Sequence, residues 1–314
     1  MTSPYAFAEG WHGWTQAARD TAYNNTEAVA DSAALIEERN TASAAFRAAY
    51  PGVYDQPYGE GEREKWDLYP GRDPNAPCLV YIHGGYWQRN RREDFACLAE
   101  GAIAMGWSVA MNGYTLAPEA SMTRIAWEIQ RGLDWLATNG PKHGIGGPIV
   151  ATGWSAGGHL AALAVEHPAV TAGIAISGIF ELAPIRDTYL DAAVTLTDAE
   201  IAELSPIRRP VVMKPLAIVY GGTELPELRR QSRVFHRIRA EAQAPGPLLP
   251  IPGADHFRVL EALRRPDGAM LRLAAELLRR PAGWDCPSGP CLFGVDPGHC
   301  LHIPCGMAVR VSRQ

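Results

Sequence analysis

From Trp66 onward the apolar residues follow two alternating rhythms. Short unbroken runs at 66–69, 78–82, 107–111, 149–152, 173–177, 216–220 and 248–251 read as strands, several of them bounded by Gly, Pro or Asn. Runs of that length, with few polar residues interleaved, suit strands covered on both faces. Between them Ile125, Ile129, Leu133 and Leu136 recur at helical spacing, and Asn139-Gly140-Pro141 ends the pattern. Leu160, Leu163 and Ala164 give a second helix its apolar stripe, and a last helix is expected near 270–279. Strand and helix in alternation predict a mostly parallel central sheet with helices on both faces. Earlier in the chain, one helix is expected over 26–50, stopped by Pro51-Gly52.

Two segments break the rhythm. Residues 180–212 carry short helical pieces and several prolines, and are expected to form a small helical cap over the carboxyl ends of the strands, where open α/β sheets bind ligands. Residues 281–314 turn to Gly, Pro and Cys without periodicity and are expected to be a tail. The reading is therefore one α/β domain over 1–280, with 1–55 as an N-terminal helical segment. At 314 residues the chain is long enough for such a core.

A net charge of −5 argues against a nucleic-acid partner, and the Arg89, Arg91, Arg92 cluster is expected in a solvated loop. No apolar run could span a bilayer, and residues 1–9 lack a basic region followed by an apolar one. The expectation is a cytoplasmic protein without a membrane partner, with homodimerisation left open. Cys78 and Cys97 are expected as buried free thiols. In the tail, Cys286, Cys291, Cys300 and Cys305, with His299 and His302, have a Cys-x4-Cys spacing looser than a zinc knuckle favours. No metal is assigned there, and no cofactor is expected.

The chemistry concentrates at four places. Gly153-Trp154-Ser155-Ala156-Gly157 fits G-x-S-x-G, a pattern that about one chain in ten of this length would hold by chance. Its position decides the matter: it follows a strand and opens a helix, as a nucleophile elbow must. Ser155 is thus the expected nucleophile. His83-Gly84-Gly85-Tyr86-Trp87 follows another strand, where backbone N–H groups can stabilise an oxyanion. Gly85, Tyr86 and Ala156 are the expected donors, and His83 is expected to brace the loop. A serine hydroxyl needs a base. Of nine histidines, His256 alone lies in a loop after the last core strand, as the order Ser, acid, His requires. The acid should follow the 216–220 strand, which selects Glu224. Asp255 is the runner-up, although a neighbour of His256 can hardly reach its far ring nitrogen. Together these residues predict the α/β-hydrolase fold. Trp87, Trp154, His159 and Asn25 are the candidate substrate contacts; Asn24 and Asn25 could equally cap a helix.

The same motifs carry a resemblance. His83-Gly84-Gly85-Tyr86-Trp87-Gln88, the run from Gly153 to Ala161, the run from Ser177 to Ile185, Arg230-Gln231-Ser232 and Asp255-His256-Phe257 together resemble arylformamidases, the kynurenine formamidases. Tyr23-Asn24-Asn25 is similar to an N-terminal signature of bacterial members. The resemblance covers about residues 20–280. It implies a metal-free serine hydrolase that removes the formyl group from an aryl amide such as N-formyl-L-kynurenine, with Ser155, His256 and Glu224 in the three catalytic roles. The family usually has Asp at the acid position, where this chain has Glu224. A carboxylesterase or amidase for other small, including xenobiotic, substrates is the alternative.

Overall fold

The computed structural model describes residues 6–279. Eight strands form one sheet: β1 (Val53–Pro57), β2 (Lys65–Tyr69), β3 (Cys78–Ile82), β4 (Ser108–Asn112), β5 (Ile149–Trp154), β6 (Val170–Ile176), β7 (Leu216–Gly221) and β8 (Leu248–Ile251). Their order is β1-β2-β4-β3-β5-β6-β7-β8. Only β2 pairs antiparallel, with β1 and with β4; every pair from β4 to β8 is parallel. This is the α/β-hydrolase fold anticipated from the sequence. Its physical basis is visible in β3, where Cys78, Val80 and Ile82 enter the apolar cluster on one face and Leu79 and Tyr81 enter the other. All positions of β3, β4, β5 and β7 are buried, so their runs could not show a polar face.

The helix Met122–Asn139 begins at Ser121, whose hydroxyl accepts from Arg124 N, and buries Ile125, Ile129, Leu133 and Leu136, the periodic set seen in the sequence. The helix Ala156–Ala164 is buried along its whole length, as its small residues allow.

Three expectations change. The single helix over 26–50 is two, Asn25–Ala28 and Ser32–Ala49, because Val29 turns extended and Ser32 Oγ donates back to Thr26 O at 2.7 Å. The edge strand β1 carried no clear alternation and was not foreseen. Arg92 is not solvated: it is 6% exposed and pairs with Asp55 and Asp67. Cys78 and Cys97 are buried free thiols, and burial pushes the Cys78 thiol up to about 12. In the 180–212 stretch lie the short helices Ala183–Arg186, Asp191–Val194 and Asp198–Leu204, tied down by a buried Glu181 that accepts from Arg208 Nε at 2.8 Å. Among the described residues no helix is long and apolar enough to cross a membrane. The cysteine-rich 281–314 stretch lies outside the described residues.

Leu133 packs fully buried where the helix Met122–Asn139 meets the sheet. Leu133→Ala should cost about 2–5 kcal/mol of stability, read from the urea midpoint at unchanged slope.

Candidate active site

Parallel strands end together, so the turns after β3, β5, β6, β7 and β8 meet along one rim of the sheet. The β5 turn is tight. Ser155 sits at φ 58°, ψ −120°, a strained conformation for a residue with a side chain. It is held by its N–H, which donates to Ile176 O at 2.8 Å. Glycine is required on both sides: a β-carbon at Gly153 would lie 2.1 Å from Gly157 O, and one at Gly157 would lie 2.0 Å from Ile82 O. The His-Gly-Gly loop presses against the same turn, since a β-carbon at Gly84 would come within 3.0 Å of Ser155 Cβ.

That loop is itself strained. Gly85, Tyr86 and Trp87 all have positive φ, at 117°, 49° and 60°. Among the described residues, the N–H groups of Gly85, Tyr86 and Ala156 donate to no protein acceptor. They are left without acceptors in a loop that lies against the serine turn and at the start of the helix that follows it. His83 holds the loop from beneath. Its Nδ1 donates to Gly84 O at 2.9 Å, and its ring stacks on Tyr114 at 4.3 Å. Burial lowers its pKa from the ordinary 6.5 to about 3, which keeps the ring neutral. Tyr86 is locked by its hydroxyl, which donates to Tyr23 O at 2.6 Å and accepts from Asn25 Nδ2 at 2.9 Å.

The turns after β7 and β8 are tied to one another. Gly222 N donates to Ile251 O at 2.8 Å, and Thr223 N and Oγ1 both donate to Ala254 O. This brings Glu224 Oε2 to 3.3 Å from His256 Nδ1, with both residues buried. Glu224 Oε1 accepts from Ser177 Oγ at 2.5 Å and from Gly221 N at 2.6 Å, so the longer side chain is fixed at both oxygens. His256 is braced against the β5 turn: Trp154 Nε1 donates to its carbonyl at 2.7 Å, and the two rings lie 4.7 Å apart. Ser155 Oγ makes no hydrogen bond among the described residues, to the His256 ring included. Such contacts commonly tighten only around bound substrate. Asp255 faces elsewhere, accepting from Phe257 N and Arg258 N and pairing with Arg258.

A cleft of about 560 Å³ opens at this rim, with Asn25, Asp31, Glu224, Leu225, Arg229 and His256 in its wall. Ser155, 2% exposed, is not part of that wall. Of the four candidate substrate contacts, only Asn25 lines the cleft. Trp87 is fully buried, edge-on to His159 at 5.2 Å. His159 is fully buried as well, with Nε2 donating to Leu204 O at 2.8 Å, and burial lowers its pKa to about 4. Trp154 is spent on bracing His256. Sequence reasoning gave no role to Ser177, although Ser177 opens one of the runs that carry the resemblance, and none to the cleft residues Arg229 and Asp31, which have no such signal.

These geometries frame what the chain is similar to. A family model described as BD-FAE matches residues 67–173. The kynurenine formamidase of Danio rerio is 27% identical over 72% of this chain and 82% of its own length. Among solved structures, a putative thioesterase from Silicibacter sp. TM1040 superposes with a TM-score of 0.73 at 26% identity, covering 82% of this chain and 98% of that one. An esterase B from Lactobacillus rhamnosis, at 19% identity and a TM-score of 0.62 over 80% of this chain and 95% of that one, shares the fold.

Because the His83 and His159 rings are neutral in the fold, acid must cost stability. Their contribution is complete above pH 6.5 and is lost as pH falls towards about 4 for His159 and about 3 for His83. His159→Gln keeps a donor for Leu204 O but cannot titrate. Urea midpoints at pH 7 and pH 5 should differ less in this variant than in the parent; an equal difference would show that His159 is not buried neutral.

Proposed function

Since this chain is a kynurenine-formamidase-like α/β-hydrolase, we propose that it hydrolyses a small aryl amide of the N-formylkynurenine type through an acyl-enzyme. Ser155 is the nucleophile, His256 the general base and Glu224 the acid that orients it. The observation that carries this reading is the His256–Glu224 pair, 3.3 Å apart and braced by Trp154 against the strained Ser155 turn.

The steps follow from the atoms present. With Nδ1–H donated to Glu224, His256 Nε2 is the ring nitrogen that accepts the Ser155 proton as Oγ attacks the formyl carbon. The carbonyl oxygen becomes an oxyanion and is taken up by the Gly85, Tyr86 and Ala156 N–H groups, each worth about 3 kcal/mol to the transition state. The C–N bond then breaks as His256 returns the proton to the leaving arylamine, and the formyl group remains as an ester on Ser155. Water adds to that ester, giving its proton to His256, and formate departs as Ser155 Oγ is reprotonated. Each proton moves out and back through one ring nitrogen, so no further acid is needed.

Ester hydrolysis is the second reading, supported by the likeness to a putative thioesterase. Relative kcat/KM on formanilide and on p-nitrophenyl acetate discriminates: a preference for the anilide favours the first reading, a preference for the ester the second.

Ser155→Ala should abolish turnover of either substrate. Glu224→Gln should lower kcat by about 10³–10⁴ while the protein stays folded by circular dichroism, because the imidazole loses its orienting charge. Asp255→Asn should cost far less, since Asp255 orders only its own turn. The reverse ranking of these two variants would give the acid role to Asp255.

A further inference from the structure

The cleft beside His256 holds five charged side chains besides the imidazole, and four of them are accounted for. Asp31 and Asp255 both pair with Arg258. Glu224 is engaged by His256, Ser177 and Gly221. The fifth, Arg229, is half-buried in the first turn of the helix Pro226–Glu241 and has no carboxylate partner among the described residues. Among the described residues its only acceptor is a neutral one, Gly222 O at 3.1 Å from Nη1, and its buried Nε has no partner there. A guanidinium left like this has lost water around Nε without gaining an anion.

The same wall holds a second unsatisfied group. Asn25 is 4% exposed; its Nδ2 is used on Tyr86, and its Oδ1 is buried with no donor. One cleft thus offers a cation lacking an anion and an acceptor lacking a donor. Leu225 and Pro226, at the positive end of the helix that carries Arg229, complete that side of the wall.

We propose that Arg229 is a specificity-determining residue that takes a carboxylate on the leaving-group arm of the substrate, while Asn25 Oδ1 accepts an N–H from the same molecule. This deepens the hydrolase assignment and rests on it for turnover, but the subsite is a binding site in its own right. Within the substrate type proposed above, it assigns selection for the charged arm to Arg229. Planar, two-pronged recognition of a carboxylate is the use to which Arg is best fitted.

Binding and turnover are tested separately. The ligand is 3-(2-aminophenyl)propanoate, an arylamine with a carboxylate on a short arm, and its uncharged carboxamide is the control. Titration calorimetry on the whole protein should give a Kd at least tenfold lower for the carboxylate. Arg229→Gln should bring the two close to equality, and Arg229→Lys should recover part of the difference. The kcat/KM ratio for the corresponding N-formyl compounds should collapse in parallel. A parent protein that binds both compounds equally, or an Arg229→Gln protein that keeps the preference, overturns the proposal. Arg229-dependent binding with no turnover of any formyl compound would uphold the subsite and sink the hydrolase reading instead.

Discussion

Gly157 approaches the Ile82 carbonyl so closely that no other residue fits there, and the position of everything else in the site follows from that crossing. The helix Ala156–Ala164 can begin immediately beneath Ser155 only because Gly153 and Gly157 let strand, turn and helix interpenetrate. The β3 loop can lie against the serine only because Gly84 has no side chain to hold it away. Ser155 and the amides of the β3 loop are therefore set by backbone contact rather than by flexible side chains. The cost is concentrated in positive φ at Ser155, Tyr86 and Trp87, and the fully buried β3 and β5 beneath supply the packing that sustains it.

The other half of the site is positioned by a different device. Glu224 and His256 sit on neighbouring turns that hydrogen-bond to each other through Gly222, Thr223, Ile251 and Ala254. Ser177 and Gly221 then hold the Glu224 carboxylate from behind. The Glu224 carboxylate is thereby fixed at both oxygens, by Ser177 and Gly221 at one and by the His256 ring at the other. Trp154 joins the two halves, with its backbone in the serine turn and its indole N–H on the His256 carbonyl.

How much of this was legible depended on how local the signal was. Ser155, His256 and Glu224 could be singled out because each follows a strand of unmistakable composition and the expected order along the chain is constrained; of these, Glu224 and His256 come within 3.3 Å of each other. The lining of the cleft could not be singled out. Trp87 and His159 have the chemistry of ligand contacts, yet they are buried against each other, and nothing in the sequence distinguishes a ring facing a cleft from one facing a helix. The N-terminal segment was the least legible. It is anchored by contacts more than 150 residues away, with Trp11 Nε1 on Asp187, Tyr23 with Glu227 and Gln231, and Asp31 with Arg258. The break after Ala28, which turns Ala28–Asp31 into a wall of the cleft, comes with no breaker residue: Val29 turns extended and Ser32 Oγ donates back to Thr26 O.

The central claim is that one serine is activated by this assembly and no other is. Treating the protein with a fluorophosphonate and mapping the adduct by peptide mass spectrometry asks that directly, because only a serine with a working base and oxyanion donors reacts readily. The account predicts one adduct per chain, on the peptide containing Ser155. An unmodified protein, or an adduct on a different residue, would contradict it.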